Sequence, residues 1–172
     1  MAETLAADVP DGLETHNERR LPTWSGILIL GAIVATGASG LLGGAPSPEI
    51  TIDSAAAKLA VKTPHILRNG TLFETRIRIT AHHGIARPVV KISETLWQDT
   101  TINSFIPAPS EETVEPEGWA FTLAPLEAGQ SVTLHIDGQN NPPLVGTNEG
   151  RISLYDGDAH LVALPLSVRI LP

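Results

Sequence analysis

Residues able to do chemistry are few in this chain and poorly spaced for it. His82 and His83 stand side by side just before Gly84. Adjacent strand residues point to opposite faces, so both reach one metal only where a loop bends them together. His65, His135 and His160 match neither the HxH nor the HExxH spacing of metal sites. All five read as surface or structural histidines. The chain has no Cys, which excludes a blue-copper centre and a lipidated cysteine.

Carboxylates and amides lead no further. Asp156-Gly157-Asp158 lacks the alternating oxygen ligands of a calcium loop and reads as a hairpin turn. Glu111, Glu112, Glu115 and Glu117 lie around Pro109 and Pro116 as an acidic loop, a possible electrostatic docking surface for a basic partner. Gln139-Asn140-Asn141-Pro142-Pro143 carries side-chain amides of the kind that bond loop backbone. Asn69-Gly70-Thr71 fits a glycosylation acceptor but is already explained as a turn. There is no phosphate loop and no Ser-His-Asp order, and a formal net charge of -8 argues against nucleic acid. The expectation is a protein without catalytic residues, metal or cofactor.

The elements that would position any site begin with an apolar run. No Asp, Glu, Lys or Arg occurs between Arg20 and Glu49. A hydrocarbon core of roughly 30 Å needs about 20 helical residues, so a transmembrane helix is expected over 24–45. A soluble core helix would carry a polar stripe, and only Ser25, Thr36 and Ser39 interrupt this run. A cleaved signal has a shorter apolar region behind a short basic start, whereas Glu3, Asp8, Asp11, Glu14 and Glu18 precede Arg19-Arg20 here. Residues 1–23 read as a disordered cytoplasmic tail. Arg19 and Arg20 abut the run and the next basic residue is Lys58, which places the N-terminus in the cytoplasm and the body outside, as in a bacterial inner-membrane protein with a periplasmic domain.

On a helix over 24–45, Ile27, Leu30, Val34 and Leu41 fall on one side, and Ala32, Thr36, Ser39, Gly40 and Gly43 on the other. Ala32, Thr36, Gly40 and Gly44 form a small-xxx-small ridge, which lets a partner helix approach closely. The expected partners are therefore the lipid bilayer and either a multi-pass membrane protein or a second copy of the chain.

Residues 46–172 differ in texture. Alternating or apolar runs recur at 50–53, 57–61, 72–81, 88–92, 100–103, 119–123, 131–136, 151–155 and 161–170. Turn formers separate them: Asn69-Gly70, His83-Gly84, Glu117-Gly118, Ala128-Gly129, Asp137-Gly138, Asn148-Glu149-Gly150 and Asp156-Gly157. Seven to nine short strands imply an immunoglobulin-like antiparallel β-sandwich, with Trp97 and Tyr155 as core aromatics.

The strings Arg68-Asn-Gly-Thr-Leu-Phe-Glu-Thr-Arg-Ile-Arg-Ile79, Leu96-Trp97, Thr101-Ile-Asn103, Ile106-Pro-Ala-Pro109 with Glu111-Glu112, Leu126-Glu-Ala-Gly129, Gln139-Asn-Asn-Pro142 and Tyr155-Asp-Gly157 resemble a group of bacterial single-pass proteins. That group carries one outer immunoglobulin-like domain and is associated with small multi-pass membrane proteins of the YetF type. The resemblance implies a membrane partner and brings no catalytic residue. The expected role is a non-enzymatic accessory or interaction subunit of a membrane complex. The alternative is a membrane-tethered binding module using the loops Ser104–Gly118 and Gln139–Gly150 for a soluble or envelope ligand.

Overall fold

A computed structural model describes residues 23–142 and 145–172. The expected tail over 1–23, with Arg19 and Arg20, lies almost wholly outside the described residues. The chain forms two units, divided after Ala38.

The first contains a helix, α1 (Thr23–Ala38), which corrects the expected helix over 24–45. It stops because the sequence turns glycine-rich: Gly40, Gly43 and Gly44 take φ of 73°, 90° and 80°, the left-handed region that ends helices at little cost for glycine. Sixteen residues rise about 24 Å. Among the described residues, no helix is long and apolar enough to cross a membrane.

The second unit is a two-sheet β-sandwich. Its strands are β1 (Glu49–Asp53), β2 (Ala57–Lys62), β3 (Ile66–Arg68), β4 (Leu72–Ala81), β5 (Pro88–Ser93), β6 (Thr100–Ile106), β7 (Glu111–Glu115), β8 (Gly118–Thr122), β9 (Ser131–Asn140), β10 (Gly146–Asp156) and β11 (Ala159–Leu171). One sheet runs β1-β2-β4-β9-β6 and the other β3-β11-β10-β5-β8-β7. Every pairing is antiparallel except β3 with β11.

Period-two patterning explains the core. In β4, Ile77, Ile79 and Ala81 are buried while Arg76 and Arg78 face out. In β11, Val162, Leu164, Leu166, Val168 and Ile170 point inward. Trp97 completes this core in an aromatic cluster, its ring 5.7 Å from Trp119 and 6.0 Å from Phe121, with Phe105 4.6 Å from Phe121 across the sheets.

Two expected turns are strand interior. Asp137-Gly138 lies within β9, with the Phe73 ring over Gly138, and Asn148-Glu149-Gly150 lies within β10. Gly150 is there for close approach: a Cβ would sit 2.8 Å from Leu96 Cβ in the crossing 3₁₀ turn Glu94–Leu96. Tyr155 is not a core residue. It follows inward Leu154 and so faces out, where the Lys91 ammonium stands 4.9 Å from its ring centroid.

Candidate functional site

The five described histidines are dispersed. His82 Nε2 lies 2.7 Å from Asp53 Oδ1, and this bond, ahead of the charges of His82 and Lys58, holds the Asp53 carboxyl below its ordinary value. His83 is exposed and donates its backbone N–H to Ala56 O. His65 lends its carbonyl to the Arg169 N–H, and His160 meets the Tyr155 ring edge-on. Among the described residues, no three His, Asp or Glu side chains are grouped to hold a metal.

His135 belongs to the densest charged cluster on the outer face of the first sheet. Glu74 accepts Arg76 Nε at 2.8 Å, Arg76 Nη2 at 2.7 Å, and His135 Nδ1 at 2.8 Å. β4–β9 register puts Arg76 opposite His135 and thus builds the cluster. The Arg76 guanidinium first, then His135, holds Glu74 down to about 2 from an ordinary 4.5. A depressed carboxylate contributes stability that is present above its unfolded value and is lost as pH falls through the folded one. Acid titration should therefore destabilise the sandwich between pH 4.5 and about 2, modestly, because Glu74 is a third exposed. Glu74→Gln should flatten that limb in urea melts at successive pH values; parallel limbs would remove Glu74 from the account.

The acidic segment is a strand, not a loop. β7 is the outer strand of its sheet, and alternation sends Glu111 and Glu115 to one face, where Arg87 Nη2 reaches Glu111 at 3.0 Å and Lys91 Nζ reaches Glu115 at 2.6 Å. Glu117 lies 3.4 Å from Arg151 Nη2. Glu112 lies opposite Phe121 in register, on the other face. The four carboxylates are thus not one surface, and three are engaged within the domain. Charge along an outer strand also keeps its unpaired backbone from recruiting another strand.

A polar end of the core was missed by pattern reading. Thr63 and Thr75 hydroxyls bond at 2.7 Å in the interior, beside buried Asn140 and Asn148, and Asn148 Nδ2 donates to Gln98 O at 3.2 Å. Asn140 Nδ2 has no partner among the described residues. Trp97 and Phe73 close the space, which amounts to about 20 Å³, the scale of one water and too small for a metabolite. The signal in the sequence was Thr75, a polar residue at an inward position of β4. Thr75→Val should cost about 1–2 kcal/mol by stranding the Thr63 hydroxyl, whereas Thr63→Val with Thr75→Val should cost less than the sum of the singles. Additive losses in urea titrations would show that the bond contributes nothing.

With this geometry in view, comparison with known proteins adds little. No family model and no curated protein matches the chain. Among solved structures, the sulfur carrier protein SoxY from Chlorobium limicola f thiosulfatophilum aligns over 83% of this chain and 96% of its own, at 14% identity and a TM-score of 0.37. A likeness at that level carries no argument about fold or function.

The expected helix-packing residues are divided. Ala32 and Thr36 lie on α1, one turn apart, with Thr36 Oγ1 donating to Ala32 O at 2.8 Å. Gly40, Gly43 and Gly44 lie beyond the helix end and continue no ridge. The two loops considered for ligand binding start at opposite ends of the β6–β9 pair: Pro107 leaves the Ile106 end of β6, while Asn141 follows Asn140, which pairs with Thr100 at the other end. Their far ends come near each other, with Glu117 beside Arg151.

Proposed function

We propose that this protein is a non-enzymatic, membrane-anchored interaction subunit, held by α1 and presenting the sandwich on the outer side of the bilayer. One observation carries the reading. Trp24, Ile27, Leu28, Ile29, Leu30, Ile33 and Val34 are each more than half exposed, on all sides of the helix. A helix that is apolar all round requires a nonpolar surrounding. At about 24 Å it is shorter than the hydrocarbon core, a mismatch that bilayers relieve by thinning and that helices relieve by associating. Arg19-Arg20 before it supports a cytoplasmic N-terminus.

The finer class proposed for the sandwich is immunoglobulin-like. β2-β4-β9-β6 occupy the places of strands A, B, E and D, and β11-β10-β5 those of G, F and C. The β8-β7 hairpin extends the second sheet beyond β5, as C′ and C″ do, but follows β6 in the chain.

The test is purification of the full chain in mild detergent, followed by mass spectrometry. Recovery from carbonate-washed membranes with a stoichiometric multi-pass protein, or as a defined homo-oligomer, is the expected result. Recovery in the soluble fraction overturns the anchor, and a lone monomer from membranes overturns the subunit role.

A further inference from the structure

We propose that the end of the sandwich bordered by the linker, residues 39–48 between α1 and β1, is a bilayer-facing surface, in which Arg68 and Lys62 take the phosphates of anionic lipid headgroups while Leu42 and Leu72 enter the interfacial layer; this rests on the membrane reading of α1.

The linker lies against this end and leaves two open grooves. Leu42 to Ala45 border one of about 440 Å³ with Ile66, Arg68 and Leu72. Ala45 to Ser47 border the other, of about 410 Å³, with Lys62, Leu72 and Arg76. Leu72, which borders both grooves, is 71% exposed and Leu42 is 44% exposed, although the sandwich has a full core in which to bury leucine. Isolated exposed leucines need no explanation, but two bordering the same groove beside a cation do.

The cations of the domain fall into two groups. Arg76, Arg87, Lys91 and Arg151 are each held by a carboxylate. Among the described residues Lys58, Lys62, Arg68, Arg78 and Arg169 are not, and of these Lys62 and Arg68 border the grooves. Arg68 Nε donates to Leu42 O at 3.0 Å, which fixes the guanidinium beside the leucine and leaves its remaining donors free. Glu74, the one carboxylate bordering the grooves, is already occupied by Arg76 and His135. In a chain of net charge -8, two unpaired cations among exposed leucines match a surface with anionic phosphates above an apolar layer. Such side chains lay their stems on the apolar side and reach the phosphates with their heads. Leu42 follows the last residue of α1 by only four positions, which makes the bilayer holding α1 the occupant that chain connectivity favours.

The chain has no Cys, so single-cysteine labelling of the full protein tests this directly. An environment-sensitive fluorophore on Leu72→Cys is read in phosphatidylcholine vesicles and in vesicles with one third phosphatidylglycerol, using neutral acrylamide as quencher. Ile29→Cys in α1 and Val114→Cys on β7, 78% exposed, serve as references. The expected result is a Leu72 label shielded in the anionic vesicles and a Val114 label open in both. Arg68→Ala and Lys62→Ala should each shift the docked-to-undocked ratio about five-fold toward undocked. A Leu72 label as open as that at Val114, beside a shielded Ile29 label, overturns this surface alone. An open Ile29 label overturns the membrane reading and the surface with it. Shielding that follows protein-to-lipid ratio rather than phosphatidylglycerol content identifies a second copy as the occupant and also overturns the proposal.

Discussion

Ile29→Asp combined with Ile33→Asp should move the protein from membranes to the soluble fraction or to degradation. Each substitution replaces a residue that favours the bilayer centre by about 0.3–0.6 kcal/mol with one that disfavours it by about 2.5–3.5, so the pair costs roughly 6–8 kcal/mol of insertion free energy. Both positions lie within α1 and are more than half exposed, so the folded chain offers neither aspartate a compensating partner by burial. The sandwich should be unaffected, which separates loss of anchoring from misfolding. Fractionation with carbonate washing, together with the urea midpoint of the variant, gives the answer. Retention of the double variant at normal abundance in washed membranes would falsify the anchor.

The second large effect is on stability. Gly118 opens β8 at φ 141°, and a Cβ built there overlaps Ile92 O and comes within 2.7 Å of Glu94 N. These are backbone atoms at the end of β5, with which Gly118 is in register through Ser93. A methyl group can enter only if the two strands separate, and the next residues of β8, Trp119 and Phe121, belong to the aromatic cluster with Trp97. Gly118→Ala should therefore cost on the order of 3 kcal/mol, combining overpacking with a disfavoured backbone conformation. Gly157→Ala is the control, since its φ of 57° lies in the left-handed region that alanine enters at modest cost and nothing lies within 4 Å of the added atom. It should lose about 1 kcal/mol. Urea unfolding followed by tryptophan fluorescence reports both, and equal losses would remove the steric argument.

Much of the sandwich can be read from the chain because its strands alternate faces. Ile77 and Ile79 against Arg76 and Arg78 specify which side of β4 is inside, and a one-residue slip would reverse every side chain. The apolar run was equally legible, since absence of charge over so many residues has few causes. Its helical extent was not: hydropathy treats Gly40, Gly43 and Gly44 as compatible with a span, whereas backbone freedom lets them end the helix at Ala38.

The charged groups illustrate the other limit. That Glu111, Glu112, Glu115 and Glu117 are acidic is a property of the sequence; that three of them face Arg87, Lys91 and Arg151 depends on strands far apart in the chain lying in one sheet. Gly138 and Gly150 look like turns because local preference says so, and they lie within strands because Phe73 and the 3₁₀ turn need the space. Glu74 meets His135, and Thr63 meets Thr75, only through the register of β4 with its neighbours. Local composition thus determined the face each strand buries and the chain's apolar run, because those depend on near neighbours and on transfer from water. Which polar groups are paired, and which cations are left free beside exposed leucines, was decided by tertiary structure, because hydrogen bonds and ion pairs require contact across the fold.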